Sequence, residues 1–107
     1  MYHYVRRFSR DSPYSRHKDI KLFNEEILKM RNNYFFNVSE AINNFNNIKE
    51  QSKSILLTFD DGIKDHLEVA EILHKLSIKA TFYIPVQPYI DGELLNVHKA
   101  HLIISKY

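Results

Sequence analysis

Residues 55–62 read Ile55-Leu56-Leu57-Thr58-Phe59-Asp60-Asp61-Gly62, an apolar run that ends abruptly in two carboxylates and a glycine. Such a run is typical of a strand buried on both faces. Two acids at the end of a buried strand are costly to desolvate unless they are used or compensated. Because the active sites of parallel α/β sheets lie beyond the carboxyl ends of the strands, Asp60 and Asp61 are candidate site residues.

A helix and a second strand are predicted downstream of this run. Apolar residues recur at helical spacing over residues 64–76, namely Leu67, Ala70, Leu73 and Leu76. A buried strand is predicted over residues 80–84. Strand, helix and strand joined by short links form a βαβ unit, which implies a parallel pair. The pattern therefore predicts the α/β fold class.

A short strand and two helices are predicted upstream. Residues 2–5 are aromatic and β-branched, as in strands. Asp19 is available to cap a helix with an apolar face of Ile20, Phe23, Ile27 and Met30. Ser39 is expected to cap the second helix, whose apolar side would hold Ile42, Phe45 and Ile48.

Composition excludes several classes of protein. With 107 residues, of which 44% are hydrophobic, the chain allows one domain with a packed core. A net charge of +2 without a basic stripe argues against a nucleic-acid partner. The absence of cysteine excludes disulfides, thiolate metal sites and a cysteine nucleophile. Since neither a membrane span nor a secretory signal is recognisable, we expect a cytoplasmic location and no membrane span.

Two histidines near the end of the chain are candidate metal ligands. His98 and His101 lie three residues apart in a predicted helix over residues 97–105, and would share one face of it. Together with Asp61 they form a set of one carboxylate and two imidazoles, which suits a divalent ion such as zinc. The alternative is that both are ordinary surface histidines, and that one aspartate only caps the helix after Gly62.

Three of the other four histidines are expected to have structural and not ligating roles. His66 and His74 are expected to face solvent on the helix after Gly62. His3 follows a strand tyrosine, and a role in the core or behind the site is favoured over binding an ion.

The motif Thr58-Phe59-Asp60-Asp61-Gly62 resembles the first motif of the NodB-homology polysaccharide deacetylases, carbohydrate esterase family 4. Residues 76–84 are similar to the second strand of that family, and Tyr2-His3-Tyr4-Val5 to the start of one of its branches. The resemblance implies a partial (β/α) barrel containing only the first βα units. Residues 1–54 would then be the strand and helices leading into the barrel, and residues 55–107 the first part of the deacetylase domain.

The resemblance also implies a chemistry and a substrate. It assigns the general base to Asp60 and a metal ligand to Asp61, with zinc, manganese or cobalt as the ion and an N-acetylated carbohydrate as the substrate. The family's two metal-binding histidines lie four residues apart, whereas His98 and His101 lie three apart. Three possibilities stay open: a variant geometry with both histidines, one ligating histidine, or a weakened or lost site.

The family's later catalytic motifs are missing from these 107 residues. We therefore expect an N-terminal fragment of a longer deacetylase or a truncated gene product, inactive in isolation. The alternative is a non-catalytic remnant that binds carbohydrate or a protein partner. A phosphoryl-accepting receiver domain is discounted, because too few residues follow Asp61 for the strands it needs.

Overall fold

Short strands alternate with helices in the computed structural model, which describes residues 1–51 and 53–107. The strands within these ranges are β1 (Val5–Arg6), β2 (Lys18–Asp19), β3 (Tyr34–Phe36), β4 (Ser54–Leu56), β5 (Thr58–Phe59) and β6 (Thr81–Phe82). The helices there are α1 (Ile20–Met30), α2 (Val38–Asn43), α3 (Phe45–Lys49), α4 (His66–Lys75), α5 (Gln87–Asp91) and α6 (Asn96–Lys106). The chain forms a small mixed α/β domain, in agreement with the predicted fold class.

The strands pair two by two, and every pair is parallel. β1 pairs with β2, β3 with β4, and β5 with β6. The unit β5–α4–β6 is the parallel βαβ unit that the sequence predicted. Tyr2 joins the first pair to the third, because its N–H donates to the carbonyl of Thr58 at 2.8 Å and its carbonyl accepts from the N–H of Asp60 at 3.2 Å. The pairing seen in the described residues is open and shows no closed barrel.

The predicted strand at residues 55–60 is interrupted at Leu57. Before this residue β4 pairs with β3, and after it β5 pairs with β6. Leu57 and Phe59 are buried, whereas Leu56 is exposed. The prediction of burial on both faces was therefore wrong, since alternate residues of this stretch differ in exposure.

The first helix follows the prediction. The Asp19 carboxylate accepts hydrogen bonds from the N–H groups of Lys21 and Leu22, as expected of an N-cap. The buried residues of α1 are Ile20, Phe23 and Ile27. An apolar stripe at helical spacing thus positions this helix against the core.

The second predicted helix is divided in two and capped elsewhere. Asn37, and not Ser39, caps α2, and it forms a reciprocal capping box with Glu40. Asn44 leaves the helical conformation between α2 and α3, which is consistent with the low helix propensity of asparagine. As a result, only Ile48 of the predicted apolar side is buried, while Ile42 and Phe45 are exposed.

Aromatic rings form the centre of the core around Phe59. This side chain is fully buried, and its ring lies 4.8 Å from Phe82, 5.5 Å from Tyr2 and 6.0 Å from Phe23. The core therefore lies directly beneath the end of β5, where the two aspartates follow. Among the described residues, every helix is too short or too polar to cross a membrane.

Candidate functional site

The turn after β5 carries Asp60, Asp61 and Gly62 in a constrained conformation. Asp61 has φ 78° and Gly62 has φ 55°, both in the left-handed region. A β-carbon at Gly62 would lie 3.0 Å from Cγ2 of Ile84, which follows β6. Because only glycine fits so close to Ile84 at this backbone angle, Gly62 determines the path of the turn.

Two histidines lie against a single oxygen of Asp61. Oδ2 of Asp61 is 3.2 Å from Nδ1 of His3 and 3.4 Å from Nε2 of His98. Burial acts to raise the pKa of Asp61, but the neighbouring imidazoles of His98 and His3 outweigh it and hold the pKa below its ordinary value. Asp61 is therefore ionised at neutral pH and offers a carboxylate to both rings.

His98 is the most enclosed of these side chains, with 11% of its surface exposed. Among the described residues, its Nε2 atom is buried and has no hydrogen-bond partner. A buried polar atom without a partner is costly. This nitrogen lies 3.4 Å from Oδ2 of Asp61 without forming a hydrogen bond to it, an arrangement that a water molecule or a cation could complete.

His101 belongs to the same face of α6 but has a different neighbour. Its Nδ1 lies 3.1 Å from the hydroxyl of Tyr4. Burial raises the pKa of Tyr4, with a smaller contribution from the charge of Asp61, so this hydroxyl stays protonated at neutral pH. The structure thus brings Asp61 and His98 together and pairs His101 with Tyr4. Residues 1–51 and 53–107 contain no group of three or more His, Asp or Glu side chains already arranged to hold an ion.

Asp60 is placed beside the site by its backbone. Its N–H donates to the carbonyl of Tyr2, which fixes the start of the turn. Asp61, His98 and His101 line the neighbouring cleft, whereas Asp60 does not. The assignment of Asp60 as a general base stays a prediction.

A cleft of about 1080 Å³ opens next to Asp61. Its walls come from the N-terminal segment, the loop before β2 and α6, including Tyr4, Tyr14, Arg16, Val97 and Leu102. This volume lies slightly above the range of about 300–1000 Å³ that is usual for small-molecule sites. Asp61 is one of the residues that line this cleft.

The prediction for His66 was wrong. His66 is 5% exposed, and its ring lies 5.5 Å from Phe59 and 5.8 Å from Phe82. Its Nε2 is 2.7 Å from the carbonyl of His3, and since a carbonyl only accepts, Nε2–H donates. Burial follows from the spacing of His66, Val69 and Leu73 on α4, a phase that the leucines alone did not reveal. His74 is exposed, as predicted.

His3 is the site residue that sequence reasoning did not rank as a candidate. The available signal was its position next to Tyr2 in the predicted strand at residues 2–5, which becomes informative only when Tyr2 is known to pair with Phe59 of β5.

Comparisons with known proteins identify no relative. No protein-family model, no curated protein and no solved structure matches the chain. Interpretation of this site therefore rests on the side chains around Asp61 and on the motif that contains it.

Proposed function

We propose that the chain carries the cation-binding part of a metal-dependent hydrolase that removes N-acetyl groups from an N-acetylated sugar or polysaccharide. One observation carries the proposal: Nε2 of His98 is buried without a hydrogen-bond partner among the described residues, 3.4 Å from the ionised carboxylate of Asp61. The resemblance of residues 58–62 to the first deacetylase motif supplies the reaction class. In this proposal the α/β domain is the first part of a (β/α) barrel.

The donor atoms of Asp61 and His98 fit a divalent ion. Nitrogen and oxygen ligands about 2.0–2.2 Å from a tetrahedral zinc ion lie roughly 3.3–3.5 Å from each other. The observed separation of 3.4 Å between Oδ2 and Nε2 agrees with this value. When bound, such an ion acts as a Lewis acid that polarises the substrate carbonyl. Zinc is the first candidate, with manganese and cobalt as alternatives.

Side chains of this chain would perform the other steps of the reaction. Asp61 and His98 hold the cation, and Asp60 accepts a proton from the attacking water as a general base. The water oxygen bonds to the acetyl carbon, the carbon–nitrogen bond breaks, and Asp60 passes the proton that it accepted to the departing nitrogen. The products are acetate and the free amine of the sugar.

A second candidate is a non-catalytic domain that binds carbohydrate or a protein partner. The pairing of His101 with Tyr4 favours it, because this pairing leaves the predicted set of Asp61, His98 and His101 unassembled. In that case the cleft beside Asp61 would bind a ligand without hydrolysing it.

Calorimetric titration with zinc chloride tests the cation site. We expect micromolar binding by the wild-type chain, and its loss in Asp61→Asn and in His98→Gln. His74→Gln is the matched control, because His74 is an exposed histidine on another helix, and it should bind zinc like the wild type. Absence of zinc binding by the wild type, or full binding by Asp61→Asn, would overturn the cation site.

Acetate release from zinc-loaded protein separates the two candidates. With N-acetylglucosamine oligomers as substrate, release that disappears in Asp60→Asn while zinc affinity is kept supports the hydrolase. Binding of the oligomers by protein that does not bind zinc supports the carbohydrate-binding alternative, whereas absence of release alone does not, because these 107 residues are expected to be inactive in isolation.

A further inference from the structure

We propose that His3, and not His101, is the second imidazole ligand of the cation held by Asp61 and His98. This inference rests on the proposed function, because it completes the ligand set of the same ion. It replaces one member of the sequence-predicted set with a residue 95 positions away from His98 in the chain.

The first argument is the shared carboxylate oxygen. His3 and His98 approach the same atom, Oδ2 of Asp61, from two different elements. Both rings therefore lie beside the one carboxylate oxygen that would bind the cation. His101, in contrast, has its Nδ1 occupied by the hydroxyl of Tyr4.

The second argument is the way the backbone of His3 is fixed. The buried ring of His66 donates from Nε2 to the carbonyl of His3 at 2.7 Å. On the other side, the backbone of Tyr2 is bound to β5 through Thr58 and Asp60. The backbone of His3 is thus held from two directions at the point where β5 ends, which fixes the position of its α-carbon beside Asp61.

The third argument is that the ring of His3 has the freedom to complete the set. Its side chain is 49% exposed, whereas that of His98 is 11% exposed. The three side chains do not converge on one point as they stand. A rotation of the exposed ring would replace its contact with Oδ2 of Asp61 by a contact with the cation, which His3 would bind as a neutral imidazole. The result is two imidazoles and one carboxylate, which leaves a coordination position open as in catalytic zinc sites.

Zinc titration of three single variants tests this assignment. His3→Ala should bind zinc at least about tenfold more weakly than the wild type. His101→Ala and the exposed control His74→Ala should stay within about threefold of it. An unchanged affinity in His3→Ala overturns the proposal, and so does a loss in His101→Ala as large as or larger than that in His3→Ala. Circular dichroism of each variant shows whether the fold is kept, and His3→Gln replaces His3→Ala if it is not.

Nuclear magnetic resonance provides a readout that does not depend on affinity or activity. When zinc is added to wild-type protein, the side-chain ¹⁵N signals of His3 and His98 should shift strongly, and those of His101 and His74 should not. A shift at His98 and His101 without one at His3 overturns the inference but leaves the proposed function standing. If zinc shifts no histidine signal in the wild type, the proposed function is overturned instead.

Discussion

At the scale of single residues, the turn that presents Asp61 depends on Gly62. Gly62→Ala combines an unfavourable left-handed φ with a β-carbon 3.0 Å from Cγ2 of Ile84. We expect it to lower the free energy of unfolding by about 2–4 kcal/mol, from backbone strain together with overpacking. Urea denaturation followed by circular dichroism measures the change.

Gly92 is the matched control for this substitution. It also has a left-handed φ, of 67°, but a β-carbon there would meet no atom within 4 Å. Gly92→Ala should therefore cost only the backbone strain, about 1–2 kcal/mol. If the two variants lose the same stability, the close approach to Ile84 is not what requires glycine in the turn.

Tyr2 gives a prediction for alkaline pH. Burial raises the pKa of Tyr2, and so do the hydrogen bond that it donates to Glu26 and the negative charge of Glu26. Together they bring this pKa to about 12. A raised pKa means that the folded state favours the neutral phenol, so this stabilisation is complete below pH 10 and is lost as pH rises through 12. The stability advantage of wild type over Tyr2→Phe, about 1 kcal/mol at pH 7, should disappear over that interval.

Two measurements check the behaviour of Tyr2. Urea denaturation of both proteins at a series of pH values gives the difference in stability. Absorbance at 295 nm follows the ionisation of the seven tyrosines, and the latest step should be missing in Tyr2→Phe. A stability difference that stays constant from pH 9 to pH 12 would contradict the prediction.

The candidate site was predictable residue by residue only in part. Asp61 and His98 were both named from sequence, and the structure places them 3.4 Å apart. Their roles as ligands are proposals. His3 could not be ranked from sequence, because its proximity to Asp61 depends on which strand lies next to β5, and local patterns carry no information on that choice.

At the scale of elements, the sequence prediction and the structure assign the N-cap of α2 to different residues, Ser39 and Asn37. The side chain of Asn37 accepts from the N–H of Glu40, while Ser39 is exposed within the helix. Asn37→Ala should lower the free energy of unfolding by about 1 kcal/mol, and Ser39→Ala by no more than a few tenths. Equal losses in urea denaturation would show that the capping box does not stabilise this helix.

Helix phase was predictable where the apolar stripe is unambiguous. The stripe of α1 has one consistent phase, and its three buried residues were all named in advance. In α4 the leucines at 67 and 73 suggested a face that includes Leu67, whereas the structure buries Val69 and His66 and exposes Leu67. A histidine that packs between aromatic rings is invisible to a pattern that counts only apolar residues, so the phase was misjudged.

At the scale of the whole molecule, the limit of prediction was strand pairing. The parallel relation of β5 and β6 follows from the helix between them. The pairing of β4 with β3, and of Tyr2 with Phe59, depends on contacts between segments far apart in the sequence. Because of these two pairings, the apolar run is interrupted at Leu57 and the N-terminal segment lies beside the two aspartates.

Phe59 connects these pairings, and its removal tests whether the molecule unfolds as one unit. Its ring contacts aromatic rings from the N-terminal segment, α1, α4 and β6, and it is fully buried. Phe59→Ala should lower the free energy of unfolding by about 3–5 kcal/mol. The total free energy of unfolding of such a domain is only about 5–15 kcal/mol. A loss of this size should therefore destabilise every element of the molecule together.

The control for this change is Phe45→Ala, because Phe45 is 63% exposed on α3 and should alter stability by less than about 0.5 kcal/mol. Urea transitions followed by far-ultraviolet circular dichroism and by tyrosine fluorescence should coincide for the wild type and shift together in Phe59→Ala. Two separate transitions would mean that the β3–β4 pair is stable without the core at Phe59. The turn at Asp61 would then depend only on the part of the molecule built from Tyr2, β5 and β6.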